Sequence, residues 1–149
     1  LIQTAAADNG LDPRLLCAII KAESDFVPTA VSANDACGLM QLLPSTLDWL
    51  QTLTPDDDHY TRADLFDPAV NVRYGAYFVA RLQAQFGDVA TIAAAYHAGH
   101  NGVQRWLQNP AYSADGVHLD VIPYADTAQY VRRIVRNYEI YCQLYPNGI

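Results

Sequence analysis

The chain is 149 residues long, room for one compact domain rather than two. Hydrophobic residues make up 51% of it and charged residues 17%, enough apolar side chain for a buried core and the wrong balance for a disordered segment. Nine basic against sixteen acidic residues leave a formal charge of -7 at pH 7, which excludes a nonspecific nucleic-acid binder with its clustered cations, and no apolar run is long enough to cross a bilayer.

The punctuation of the sequence predicts an all-α domain. Asp12-Pro13 opens a helix, with Asp12 placed to cap and Pro13 suited to the first helical position. Leu15, Leu16, Ile19 and Ile20 then recur at helical spacing and define its apolar face. Residues 44 to 53 repeat the design, with Pro44 followed by Leu47 and Leu50. Thr54 to Arg62 is polar and acidic and reads as a solvated loop. Asp67-Pro68 starts a third helix whose stripe is Val72, Ala76, Val79 and Leu82, ending by Gly87. The alanine-rich stretch from Ala90 to Tyr96 reads as a tightly packed helix that stops near Gly99. Pro110 to Gly116 is a second loop. From Pro123 to Tyr145 a long helix carries Tyr130, Ile134, Tyr138 and Tyr141 at core spacing. Alternating strand patterns, internal repeats and low-complexity tracts are nearly absent. The chain begins mid-pattern at Leu1 without a methionine, so residues 1–149 are expected to be one domain cut from a longer protein.

Glu23 is the most informative position. It lies three residues after Ile20 and four after Ile19, and so shares the apolar face of the first predicted helix. Burial penalises the ionised carboxylate, and the negative end of the helix dipole penalises it further. Both effects raise the pKa, which is how a carboxylic acid keeps its proton near neutral pH and donates it. Spacing alone leaves open an ordinary carboxylate that caps a neighbouring loop. Asp25 falls about 200° further round the helix, so the two acids do not form a side-by-side dyad.

Other constellations are weaker. Three cysteines, Cys17, Cys37 and Cys142, cannot build a disulfide framework, and Cys17 reads as a small buried hydrophobe. Cys37 with a histidine is a thiol-peptidase reading, but its flanks show no electropositive setting to favour a thiolate. His97 and His100 form an HxxH pair and His59 follows Asp56-Asp57-Asp58, without the three or four converging ligands that a metal site needs. Tyr130, Tyr138 and Tyr141 are expected in the core. Tyr96, directly before the glycine-bearing segment, is the better cleft residue.

Set in order, four blocks resemble the catalytic domain of the soluble-lytic-transglycosylase family, which cleaves bacterial peptidoglycan. They are Glu23-Ser24 with Pro28, Ala30 and Val31-Ser32; Gly38-Leu39-Met40-Gln41-Leu42 with Pro44; Ala95-Tyr96-His97-Ala98-Gly99 with Gly102-Val103 and Trp106; and Ile122-Pro123-Tyr124 with Thr127, Tyr130-Val131 and Tyr138. Asp67-Pro68 and Asn71 also fall where the family has them. The resemblance runs from about Leu11 to Tyr145.

The resemblance implies a lysozyme-like helical fold with a substrate cleft and a single catalytic glutamate, mapped onto Glu23. Ser32 and Gln41 map onto polar groups beside the acid, and Met40 and Tyr96 onto the cleft wall. His97 and Asp120 complete the expected substrate-binding set. The implied reaction needs no metal and no organic cofactor. Glu23 protonates the glycosidic oxygen leaving N-acetylmuramic acid, and the ionised Glu23 then takes the proton of the same sugar's 6-hydroxyl as it closes on the anomeric carbon. The product is a 1,6-anhydro end, and no water is consumed. A muramidase that uses water instead, or a peptidoglycan-binding module without turnover, fits the same scaffold.

Three departures stand out. His97 replaces the family's usual asparagine, which introduces a titratable group, and His100 its common proline. Asp120 is one methylene shorter than the glutamate of many members. Ala128 stands where the family has arginine. The implied partner is the glycan strand, with no nucleic acid and no membrane contact by the domain, which is expected to be a monomer. The implied location is extracytoplasmic.

Overall fold

The computed structural model describes residues 1–54 and 59–149. The acidic run Asp56-Asp57-Asp58, expected as a solvated loop, lies outside the described residues. The helices are α1 (Ile2–Asp8), α2 (Pro13–Ser24), α3 (Pro44–Gln51), α4 (Pro68–Gln83), α5 (Val89–Ala98), α6 (His100–Leu107) and α7 (Ala125–Leu144), with a 3-10 turn over Arg62–Phe66. Among the described residues there are no strands, only two isolated antiparallel bridges, Val31 to Cys37 and Cys37 to Leu42. None of these helices is long and apolar enough to cross a membrane.

The starts follow the expected chemistry. Asp12, Asp67 and Asp88 each cap a helix, accepting from the backbone N–H of Arg14 at 2.9 Å, Ala69 at 2.8 Å and Thr91 at 2.9 Å. Pro13, Pro44 and Pro68 occupy first-turn positions, where a missing N–H costs nothing. Three elements go beyond the sequence reading. α1 has no side-chain cap and little periodicity, and it is anchored instead by burying Ala5 and Ala6. The 3-10 turn lies where a loop gives way to Asp67, and it is held by a capping box between Thr61 and Asp64. α6 is separate from α5 because Gly99 adopts φ 88°, a conformation that breaks the helix between His97 and His100.

α2 and α7 pack antiparallel. Tyr138 Oη donates to Asp12 Oδ2 at 2.9 Å, Asn137 Nδ2 to the Ala18 carbonyl at 3.3 Å, and Tyr130 Oη to Glu23 Oε1 at 2.6 Å. The order along one helix runs opposite to the order along the other. Fully buried alanines at 93, 94 and 95 let α5 lie close to α7. This arrangement builds the larger core. A smaller core gathers Cys37, Leu42, Leu47, Leu50, Leu65, Val70 and Tyr74. Phe78 and Tyr96 pack against both cores and mark the seam between them.

Asp12 carries a pH-dependent part of this packing. Hydrogen bonds from the Arg14 side chain hold its carboxyl below the usual carboxylate range, and the Arg14 N–H and Tyr138 hydroxyl add to the effect. A depressed folded pKa means that the stabilisation is complete above the unfolded value near 3.8 and is lost as pH falls through the folded one. Asp12→Asn keeps a good cap but removes the charge. It is expected to lower the melting temperature by about 1–3 °C at pH 7, with the gap closing in scans below about pH 3.

Candidate active site

Glu23 sits in the last turn of α2, half-buried, with its Oε1 accepting the Tyr130 hydroxyl at 2.6 Å. Burial pushes its carboxyl above the ordinary value, while the Tyr130 bond and the positive charge of Arg133 pull the other way and only partly offset the rise. The group therefore has two properties that a reversible proton donor needs. It holds a proton longer than an exposed glutamate, and once ionised it has a hydroxyl donor ready for the charge. Oε1 is taken by Tyr130, which leaves Oε2 as the oxygen to meet a ligand.

The segment after α2 is shaped to lie beside this acid. Asp25 caps the helix with φ 52° and Phe26 follows at φ 62°, so two consecutive non-glycine residues turn the chain sharply away. Ser24 Oγ donates to the Leu39 carbonyl at 2.8 Å and pins the Gly38–Leu42 stretch onto the end of α2. Asn71, fully buried on α4, completes the fixing. Its Oδ1 accepts the Met40 N–H at 2.8 Å, and its Nδ2 donates to the carbonyls of Cys37 at 2.8 Å and Leu65 at 2.9 Å. Gly38, at φ 77°, is obligatory there, because a Cβ would collide with the Leu65 carbonyl and the Asn71 amide.

The expected substrate-binding residues are distributed unevenly. Tyr96 stands at the seam beside Glu23, donating its hydroxyl to the Met40 carbonyl at 2.7 Å. Burial and then the nearby Glu23 charge hold its phenol well above the ordinary range, so it acts as a neutral donor. His97 stacks on Tyr130, ring centroids 4.6 Å apart, and its Nδ1 lies 3.1 Å from Thr127 Oγ1. Gln41 is half-buried with φ 50°, its amide donating to the carbonyls of Ala30 at 3.1 Å and Gly38 at 2.9 Å. Ser32 is exposed on the same loop, and its hydroxyl accepts the N–H groups of Asn34 and Ala36.

Two of the expected residues fall differently. Met40 is 0% exposed, with its thioether packed tightly on Gly75 of α4, so its side chain belongs to the core; this corrects the expectation of a Met40 side chain on the cleft wall. What Met40 offers the site is its carbonyl, and the exposed apolar side chain of that block is Leu43, 38% accessible. Asp120 lies on the exposed loop before α7, where its Oδ2 accepts the Ala114 N–H at 2.7 Å. None of its described contacts reaches Glu23.

The rival constellations come apart. His100 stacks on Trp49 at 6.5 Å while His97 goes to Tyr130, so the two imidazoles serve different neighbours. The Cys37 thiol is buried, and burial raises its pKa, the opposite of what a thiolate nucleophile requires. Tyr130 and Arg133 are the participants that periodicity missed. Tyr130 was expected in the core, and it is buried, yet its hydroxyl needs a partner there; that requirement was the available signal.

The family model for the transglycosylase SLT domain matches residues 1–117. The soluble lytic murein transglycosylase of Salmonella typhimurium is 32% identical over 120 residues, which cover 79% of this chain and 19% of that protein. The transglycosylase of Enterobacteria phage PRD1 is 35% identical over 111 residues, covering 74% of this chain and 38% of that protein. The chain thus spans about a fifth of the length of the bacterial relative. Among solved structures, an inactive glutamate-to-glutamine mutant of the lytic transglycosylase Slt from Pseudomonas aeruginosa is similar with a TM-score of 0.83 and 31% identity, over 99% of this chain and 24% of that chain. The 70-kDa soluble lytic transglycosylase in complex with bulgecin A, 24% identical with a TM-score of 0.84, shares the fold. The helices therefore have the lysozyme-like arrangement expected from the sequence.

Proposed function

The chain belongs to the transglycosylase SLT domain family, and from that premise we propose that it cleaves the bond between N-acetylmuramic acid and N-acetylglucosamine in peptidoglycan, leaving 1,6-anhydro ends. The observation that carries the proposal is the half-buried carboxyl of Glu23, raised in pKa by burial and hydrogen-bonded by Tyr130. Glu23 gives its proton to the glycosidic oxygen as the bond to the anomeric carbon breaks. The ionised carboxylate, held by the Tyr130 hydroxyl, then accepts the proton of the 6-hydroxyl as that oxygen bonds to the anomeric carbon. Glu23 ends the cycle protonated, and no second acid is required. Asp25 is engaged by Lys21 and Asp120 by its own loop, so the two other acids of interest have different work. Many glycoside hydrolases instead place two carboxyl groups about 5–9.5 Å apart across the scissile bond.

Ser32, Gln41, Tyr96 and His97 are proposed to line the strand-binding cleft, with Tyr96 supporting the reacting sugar. The polymer lies outside the cytoplasm, and that is where the domain is proposed to act. Mass spectrometry of the muropeptides released from purified peptidoglycan tests the reading. Anhydro-ended products from the wild type, absent with Glu23→Gln, are expected. Reducing ends lost in the same variant would make the domain a muramidase, and strand binding without any soluble product would make it a binding module.

A further inference from the structure

The surroundings of His97, between Tyr130 and Thr127, give it a specific task. Its ring lies against Tyr130 with centroids 4.6 Å apart and planes 29° apart. Thr127, one turn before Tyr130 on α7 and fully buried, lies 3.1 Å from His97 Nδ1 and fixes the orientation of the imidazole. Tyr130 in turn donates to Glu23 at 2.6 Å. His97 itself is exposed, so the ring covers Tyr130 from the solvent side. Three helices thus meet in one relay, α5 through His97, α7 through Thr127 and Tyr130, and α2 through Glu23.

We infer that His97 is a positioning residue, which holds the Tyr130 phenol in its hydrogen bond to Glu23 by stacking on it while anchored to Thr127. The inference rests on Glu23 being the acid of the proposed reaction, but it makes a claim about the resting protein. The Tyr130 hydroxyl stabilises the ionised form of Glu23, so a phenol free to tilt leaves that carboxylate less supported and its proton held more tightly. The titratable or charged groups that face this unit are Glu23 from α2, Tyr96 from α5 itself, and Arg133 from α7, whose guanidinium carbon lies 5.7 Å from the Tyr130 ring centre. An asparagine at 97 has no ring to stack.

The chain contains only two glutamates, Glu23 and Glu139, so carbon-13 labelling of glutamate gives two side-chain carboxyl signals whose titrations are followed separately by NMR. Tyr130→Phe is expected to move the Glu23 midpoint upward, with its proton affinity changed about 10-fold or more, the weight of a hydrogen bond to a charged group. His97→Ala is expected to move it the same way by about 2–10-fold, the weight of one aromatic contact. His97→Phe, which restores a stacked ring, returns most of that shift. In the Tyr130→Phe background, His97→Ala adds nothing. On peptidoglycan the His97→Ala single variant lowers kcat by a similar factor, separately from any change in KM that its place in the cleft brings.

A Glu23 titration unchanged in His97→Ala overturns the inference. So does a shift in the double variant equal to the sum of the two singles, because His97 then acts on Glu23 without Tyr130. A His97→Ala variant with kcat unchanged, whatever its KM, also overturns it, by leaving His97 a role in substrate binding alone. The titration needs no substrate, so absence of lytic activity, which would sink the proposed function, leaves this test intact.

Discussion

Glu23→Gln is expected to lower the rate of muropeptide release by about 10²–10⁴-fold, the range for removing a positioned general acid. Glutamine keeps the size of the side chain and an oxygen for the Tyr130 hydroxyl, but its amide cannot deliver a proton or take one back. The variant should nevertheless be the more stable protein at neutral pH. Burial raises the folded pKa of Glu23, so the wild type loses stability as pH rises from the unfolded value toward the folded one, and above that window it carries the full cost of a buried charge. Thermal scans of the two proteins should therefore coincide near pH 3–4 and separate in favour of Gln toward pH 8. Activity lost with stability gained is the signature of a strained functional carboxyl; loss of both would mean that Glu23 is a structural residue. Glu23→Asp is expected to be nearly as inactive, because a carboxyl withdrawn by one methylene leaves the reach of Tyr130.

How much of this was legible in the sequence differs between fold and site. Helix starts were readable because an aspartate followed by proline has one physical meaning, and the apolar stripes of α2, α4 and α7 repeat at helical spacing. α7 begins two residues later than the stripe suggested, with Tyr124 at its cap rather than Pro123 inside it. α1 was invisible because three alanines and a threonine carry almost no moment, and its burial is decided by what packs over it. The location of Glu23 on an apolar face was legible for the same reason as the stripes. Its hydrogen bond to Tyr130 was not, since 107 residues separate the two and nothing in a tyrosine at core spacing says which way its hydroxyl points. The Met40 reading failed on the same kind of question. A block resemblance locates a residue in the chain, but whether its side chain faces the cleft or the core depends on the backbone turn, and Gln41 at φ 50° sets that turn so that Leu43 emerges and Met40 does not.

Asn71 shows how a buried polar side chain of α4 holds the site at the seam. Its amide pairs with the Met40 N–H and with the carbonyls of Leu65 and Cys37, the last shared with the Leu42 N–H at 3.1 Å. Asn71→Ala leaves the Met40 N–H and the Leu65 carbonyl without partners, each at roughly 1–3 kcal/mol, while the Cys37 carbonyl keeps the Leu42 N–H, so the loss is about 3–5 kcal/mol in total. With a urea m-value of about 1–3 kcal/mol/M, the unfolding midpoint should fall by at least 1 M. Asn71→Asp separates the contributions. It keeps an acceptor for the Met40 N–H but sets a carboxylate against the carbonyls of Cys37 and Leu65, so it should be at least as damaging at pH 7 and should recover in part at acid pH, where a protonated carboxyl can donate once. The consequence reaches the site through Met40, whose N–H is held by Asn71 and whose carbonyl accepts the Tyr96 hydroxyl. Release of that carbonyl frees the tyrosine beside Glu23, so folded Asn71→Ala, assayed well below its melting temperature, should also be slower on peptidoglycan. Full activity at undiminished stability would mean that the loop is held by its own turns and the Ser24 bond alone.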